Sequence, residues 1–115
     1  MEKYMFIFFG GDPSHLSPDA QQAHMQKWFD WVQKLTNEKR YVGGEALLPG
    51  GKTIKGSKKA VTDGPFTESK EVVGGYFVVL AKNLDEAVEM AKECPDYSLD
   101  GVVEVREVMK FDNME

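Results

Sequence analysis

The chain has 115 residues, of which 42% are hydrophobic and 29% charged, so it is long enough to bury the core of one soluble domain. Its formal net charge of −5 argues against a general nucleic-acid or anionic-membrane binder, because both need a basic surface. No apolar run reaches the length of a membrane span, and one cysteine, Cys94, cannot form an internal disulfide, so we expect a single cytoplasmic domain over residues 1–115.

The first half of the chain predicts a strand, a helix and a second strand. Residues 5–9 are continuously apolar and are followed by GGDP, which is typical of a strand with a sharp end. Ser17 can cap a helix that starts at Pro18 and runs to about Asn37. Residues 41–48 then predict a strand that Gly44 interrupts.

A polar excursion separates these elements from the second half. Residues 52–61 have the composition of a short hairpin, and the sequence DGPF at 63–66 predicts a rigid turn. Residues 72–81 follow as VVGGYFVVLA, the strongest strand pattern of the chain.

A second helix and a last strand complete the pattern. Asn83 and Glu86 have the spacing of a capping box, and Pro95 ends the helix that they begin. Residues 102–109 alternate apolar and charged side chains, as a strand with one buried face does. The order predicts an α+β fold, a ferredoxin-like βαββαβ sandwich with an extra hairpin.

Two strands of the predicted sheet are apolar on both faces. Both alternating sets of residues 4–9 and of residues 76–81 are apolar, whereas two helices can cover only one face of a sheet. A second subunit laid sheet to sheet would cover the other face, which predicts a homodimer. The alternative is that the excursion at 52–71 folds back over its own sheet.

Six stretches along nearly the whole chain carry a family likeness: EKYMFIFFGGD, QQAHMQKWFDWV, VGGEALLP, VTDGPFTESKEVVGGYFVV, NLDEAVEMAKECP and VVEVREV. In these stretches the chain resembles the YCII-related domain family, and within it the branch named for its Asp-Gly-Pro-Phe motif. The resemblance implies a ferredoxin-like fold that dimerises through its sheets, the dimeric α+β barrel. It also suggests an enzyme, because a His–Asp acid–base pair is proposed for related members.

The resemblance points to His24, on the first predicted helix, as an acid or base. A neutral imidazole near pH 7 can accept and return a proton. Asp63 could orient that imidazole and stabilise its charged form. The alternatives are a histidine at the rim of the core and an aspartate that serves only the turn, where Asp-Gly is a preferred pair.

Four further side chains are candidates for binding a substrate: Glu45, Tyr41, Trp28 and Phe66. A carboxylate such as Glu45 is costly in a core unless it is paired, so the alternative is a strand residue that faces outward. The lysines at 52, 55, 58 and 59 suggest an anion site or, alternatively, a solvated hairpin tip. With two histidines and no Cys/His cluster we expect no metal site, and no motif calls for an organic cofactor.

Together these features predict a homodimeric enzyme for proton-transfer chemistry, an elimination or an isomerisation, on a small organic molecule. Such an enzyme needs His24 within hydrogen-bond reach of a carboxylate, in a pocket that water and a ligand can enter. A non-catalytic ligand-binding or regulatory module, and an interaction protein that uses residues 52–71 as its surface, are the alternatives.

Overall fold

The computed structural model describes residues 1–64 and 72–111. Its elements are β1 (Glu2–Phe9), α1 (Pro18–Asn37), β2 (Tyr41–Ala46), β3 (Lys52–Lys55), β4 (Ala60–Asp63), β5 (Val73–Ala81), α2 (Leu84–Ala91), a 3-10 helix (Pro95–Leu99) and β6 (Val102–Glu107). The elements predicted from the sequence are present. The 3-10 helix is the addition that the sequence patterns did not indicate.

Four strands form one antiparallel sheet in the order β2-β5-β1-β6, and β3 pairs with β4 as a separate hairpin. The first strand of the chain therefore lies inside the sheet, between β5 and β6. This order, with one helix after β1 and one after β5, is that of a βαββαβ sandwich. The α+β, ferredoxin-like fold class is confirmed.

Both helices start at the residues that were predicted to cap them. The hydroxyl of Ser17 accepts a hydrogen bond from the backbone N–H of Ala20 at 3.1 Å, and the side chain of Asn83 accepts one from Glu86 at 2.9 Å. Each satisfies a backbone donor that a helix leaves unpaired at its first turn. No helix in the described part of the chain is long and apolar enough to cross a membrane.

The helices cover one face of the sheet, and the core lies between them and that face. The buried side chains are those of Tyr4, Phe6, Phe8, Trp31, Leu35, Phe77, Val79, Ala81, Ala87, Ala91 and Cys94. Burial raises the pKa of the Cys94 thiol to about 12. Cys94 is therefore a neutral packing residue.

The opposite face of the sheet, which we call the open face, carries no helix from residues 1–64 or 72–111. It presents the other alternating set of β1 and β5, and these side chains are partly buried in the single chain: Met5, Ile7, Phe9, Tyr76, Val78 and Leu80. Residues 52–63 do not cover the open face, because every one of them is exposed. The remainder of the excursion, residues 65–71, lies outside the described residues.

Candidate functional site

His24 contacts a carboxylate, but it is not the one that the sequence suggested. Its side chain is enclosed, with 7% of its surface exposed, and its Nε2 lies 2.7 Å from Oδ1 of Asp96. Asp96 stands in the first turn of the 3-10 helix, which packs against α1. The packing of these two helices therefore brings together residues that are 72 positions apart.

Trp28 contacts the same oxygen of Asp96. It follows His24 by four residues, so both side chains lie on one face of α1. The indole Nε1–H donates to Oδ1 at 3.1 Å. An ionised carboxylate can only accept hydrogen bonds. When Asp96 is ionised, Nε2 of His24 must therefore carry the ring hydrogen and donate it to Oδ1, as Nε1 of Trp28 does.

The second ring nitrogen of His24 then holds the lone pair. Nδ1 has no hydrogen-bond partner among the described residues. In a neutral imidazole that donates through Nε2 to a carboxylate, Nδ1 is the proton acceptor, which is the arrangement of a general base.

Two glycines leave the space that Asp96 occupies. A Cβ on Gly11 would lie 2.7 Å from Cγ of Asp96, and a Cβ on Gly101 would lie 2.7 Å from its Cβ. Gly11 also has a φ of +67°, in the left-handed region that favours glycine. The loop after β1 and the turn before β6 thus approach the carboxylate closely.

Aromatic packing fixes the direction of the Trp28 indole. Its ring meets Phe8 and Phe77 edge to face, with ring centroids 5.0 and 5.6 Å apart. Tyr41 meets the same Phe77 at 5.2 Å, also edge to face. Such contacts hold ring planes in defined orientations, so the N–H of Trp28 is aimed at Asp96 by the core.

Asp63 lies elsewhere in the single chain. It is the last residue of β4, is exposed, and pairs with the ammonium group of Lys52 across the hairpin. The carboxylate beside His24 is therefore that of Asp96, for which the sequence patterns indicated no role. Within the single chain His24 and Asp63 are therefore not in contact, and the role predicted for Asp63 stays a prediction.

The remaining candidates are divided between the two faces of the sheet. Tyr41 is partly buried on the helix-covered face, and burial, followed by the charges of Glu45 and Tyr76, raises the pKa of its phenol. Glu45 is exposed and pairs in register with Tyr76 on the open face. Phe66 lies outside the described residues. His24 and Trp28 are thus joined through Asp96, whereas Glu45 and Asp63 are not.

Two surface clefts lie near these elements, and His24 lines neither. One is lined by Lys27, Asp30, Trp31, Lys34, Glu93 and Pro95. The other is lined by Met1, Lys3, Leu80, Val108 and Lys110. No cluster of three or more His, Cys, Asp or Glu side chains suited to a metal ion occurs in the described ranges.

The YCII-related domain family model matches residues 4–112 of the chain. Among solved structures, the chain is similar to 5-chloro-2-hydroxyhydroquinone dehydrochlorinase from Burkholderia phenoliruptrix, in complex with 2,5-dihydroxybenzoquinone. The identity is 13%, the TM-score is 0.49, and the match covers 98% of this chain and 99% of that one. No curated protein matches the sequence significantly.

Proposed function

The chain belongs to the YCII-related domain family, and from this premise and the His24–Asp96 pair we propose that it is an enzyme for proton transfer. Its substrate is a small organic molecule, and its reaction an elimination or an isomerisation. The observation that carries the proposal is the contact of the enclosed His24 with a carboxylate, in which its Nε2 lies 2.7 Å from Oδ1 of Asp96.

In this proposal Nδ1 of His24 removes a proton from the substrate. The imidazole becomes an imidazolium, and the carboxylate of Asp96, 2.7 Å from Nε2, stabilises its positive charge. The electron pair left on the substrate then expels a leaving group in an elimination. In an isomerisation, it shifts the double bond and His24 returns the proton to another atom of the substrate.

Because the substrate is unidentified, the test begins with ligands. A thermal-shift screen of small aromatic and carboxylic acids compares the wild type with His24→Ala, and His15→Ala is the matched control, since His15 is the other histidine and is exposed. Stabilising compounds are then incubated in ²H₂O, and NMR follows the exchange of their carbon-bound protons. We expect exchange with the wild type and His15→Ala that His24→Ala loses. Exchange that survives His24→Ala would contradict the proposal.

A non-catalytic ligand-binding module is the second candidate. It is favoured by the small exposed fraction of His24, 7%, and by its position outside both clefts. The same experiment separates the two functions. A binding module would be stabilised by a compound whose carbon-bound protons never exchange, in the wild type or in either variant.

We further propose that the protein is a homodimer that pairs through its open faces. Apolar side chains of β1 and β5 make up the middle of this face, and neither of the two described α-helices covers them. At its β6 edge lie Glu104 and Arg106, opposite Ile7 and Met5 in register. A two-fold axis can bring opposite charges from two copies together.

Sedimentation velocity tests the dimer. We expect two-chain particles for the wild type at micromolar concentration and single chains for Val78→Asp, which places a charge in the middle of the open face. A folded Val78→Asp variant that remains dimeric would contradict pairing through this face. Circular dichroism establishes that the variant is folded.

A further inference from the structure

The β3–β4 hairpin, residues 52–63, stands apart from the rest of the chain, and we call it the arm. All of its residues are exposed, and its two strands pair with each other and with no strand of the four-stranded sheet. The radius of gyration is 16.0 Å, whereas a compact domain of this length has about 13 Å. A two-stranded hairpin without further packing is marginally stable in water, and among the described residues the arm stays exposed along its whole length.

One face of the arm is apolar. Ile54 pairs with Val61, and 67% and 61% of their surfaces are exposed. The next pair, Thr53 with Thr62, points to the opposite face, because successive residues of a strand alternate. Two branched apolar side chains held side by side in water are typical of a contact surface.

The arm is also basic in an acidic chain. Its four lysines and one aspartate give it a formal charge of +3, so the rest of the chain, which has −5 in total, carries −8. Among the lysines, Lys55, Lys58 and Lys59 are exposed near the turn that joins the strands. A surface that complements the arm is acidic and offers apolar contacts. The rest of this chain, outside the arm, has both properties.

We propose that the arm docks on a second copy of this chain, with Ile54 and Val61 against its apolar surface and the lysines toward its acidic groups. Each copy has one arm and one acidic body, so two copies exchange arms and form a closed pair. This inference rests on the proposed homodimer in requiring a second copy, and not on the proposed chemistry. The arm and the open face are separate surfaces, and variants test them separately.

A cross-linking experiment identifies which chain the arm touches. Ser57→Cys, in the turn of the arm, is labelled with a benzophenone maleimide, while the native Cys94 is buried. Chains grown in ¹⁴N and ¹⁵N are refolded together, irradiated and digested. The proposal predicts cross-linked peptides that pair a light with a heavy chain at the level of random mixing. Cross-links within one isotope only, or no cross-links, would overturn it.

A matched pair of variants tests the apolar face. Ile54→Asp and Thr53→Asp add the same charge at neighbouring positions of one exposed strand, on opposite faces. We expect Ile54→Asp to abolish the mixed-isotope cross-links and to weaken dimerisation about tenfold, as the loss of a central apolar contact does. Thr53→Asp should retain both. Equal effects of the two variants would overturn the role of the Ile54–Val61 face. Neither cross-linking nor dimerisation depends on ligand proton exchange, so a failure of the proposed chemistry would not change the outcome of this test.

Discussion

His24 and Trp28 lie one turn apart on α1, and Nε2 of His24 and Nε1 of Trp28 lie 2.7 and 3.1 Å from one oxygen atom, Oδ1 of Asp96. The first of these contacts would stabilise an imidazolium, and the second holds the carboxylate in place for it. The site is therefore a unit of three side chains, and changes to any of them should be visible at the imidazole of His24.

A substitution can remove the hydrogen-bond donor of Trp28 and keep an aromatic ring at this position. Trp28→Phe keeps an aromatic side chain and removes the donor, so the His24–Asp96 contact should loosen and the Nε2–H proton of His24 should exchange faster with solvent in NMR spectra. Trp31→Phe is the matched control, because Nε1 of Trp31 is buried without a partner. If Trp31→Phe accelerates the exchange as much as Trp28→Phe does, the hydrogen bond from Trp28 to Oδ1 of Asp96 does not hold the His24–Asp96 contact in place.

The two candidate carboxylates can be compared directly. Asp96→Asn removes the charge that would stabilise an imidazolium, so the rate of ligand proton exchange should fall on the order of 100-fold. Asp63→Asn changes an exposed residue paired with Lys52 and should leave the rate unchanged. A large loss in Asp63→Asn with none in Asp96→Asn would return the role to Asp63.

Gly11 tests the space around Asp96. Gly11→Ala combines a positive φ with a Cβ that collides with the Asp96 side chain, whereas Gly50→Ala combines a φ of +87° with open space around the Cβ. Both should lose about 1–2 kcal/mol of unfolding free energy to backbone strain. Gly11→Ala should lose more in urea unfolding and should also alter the Nε2–H signal of His24. Equal losses would show that the close approach is unimportant.

Glu86 makes the stability of the protein sensitive to acid. A hydrogen bond from the backbone N–H of Lys82 at 3.0 Å, followed by one from Arg40, holds the pKa of its carboxyl below the ordinary value of 4.5. Because the folded pKa is lowered, this stabilisation is present above pH 4.5 and is lost as the pH falls through the folded value.

Glu86→Gln should therefore be less stable than the wild type at pH 7, and the difference should shrink in urea titrations below pH 4.5. Glu89→Gln, on the same helix, controls for removing an exposed negative charge. A stability difference between Glu86→Gln and the wild type that stays constant from pH 7 to acid would contradict this account.

The fold could be predicted because its signals are local. Ser17 and Asn83 cap helices within their own first turns, and the alternation of β1 and β5 requires only neighbouring residues. The alternation places Tyr4, Phe6 and Phe8 on one face of β1, but it does not say which face the helices cover, because both alternating sets are apolar.

The site could be predicted only in part, because its key contact is not local. The family resemblance pointed to His24, but the carboxylate that contacts His24 depends on how the 3-10 helix packs against α1. The chain has 19 acidic residues, and no pattern distinguishes Asp96 among them. Its position directly after Pro95, at the start of a helical turn, is a local signal, but it indicates a helix start as readily as a site.

The most direct test of the site is the position of the proton on the His24 imidazole. With only two histidines in the chain, a long-range ¹H–¹⁵N NMR spectrum resolves both rings, and His15→Ala assigns them. The account predicts that the neutral ring of His24 carries its proton on Nε2 in the wild type, and that Asp96→Asn reduces this preference. A neutral ring protonated on Nδ1 in the wild type would contradict it.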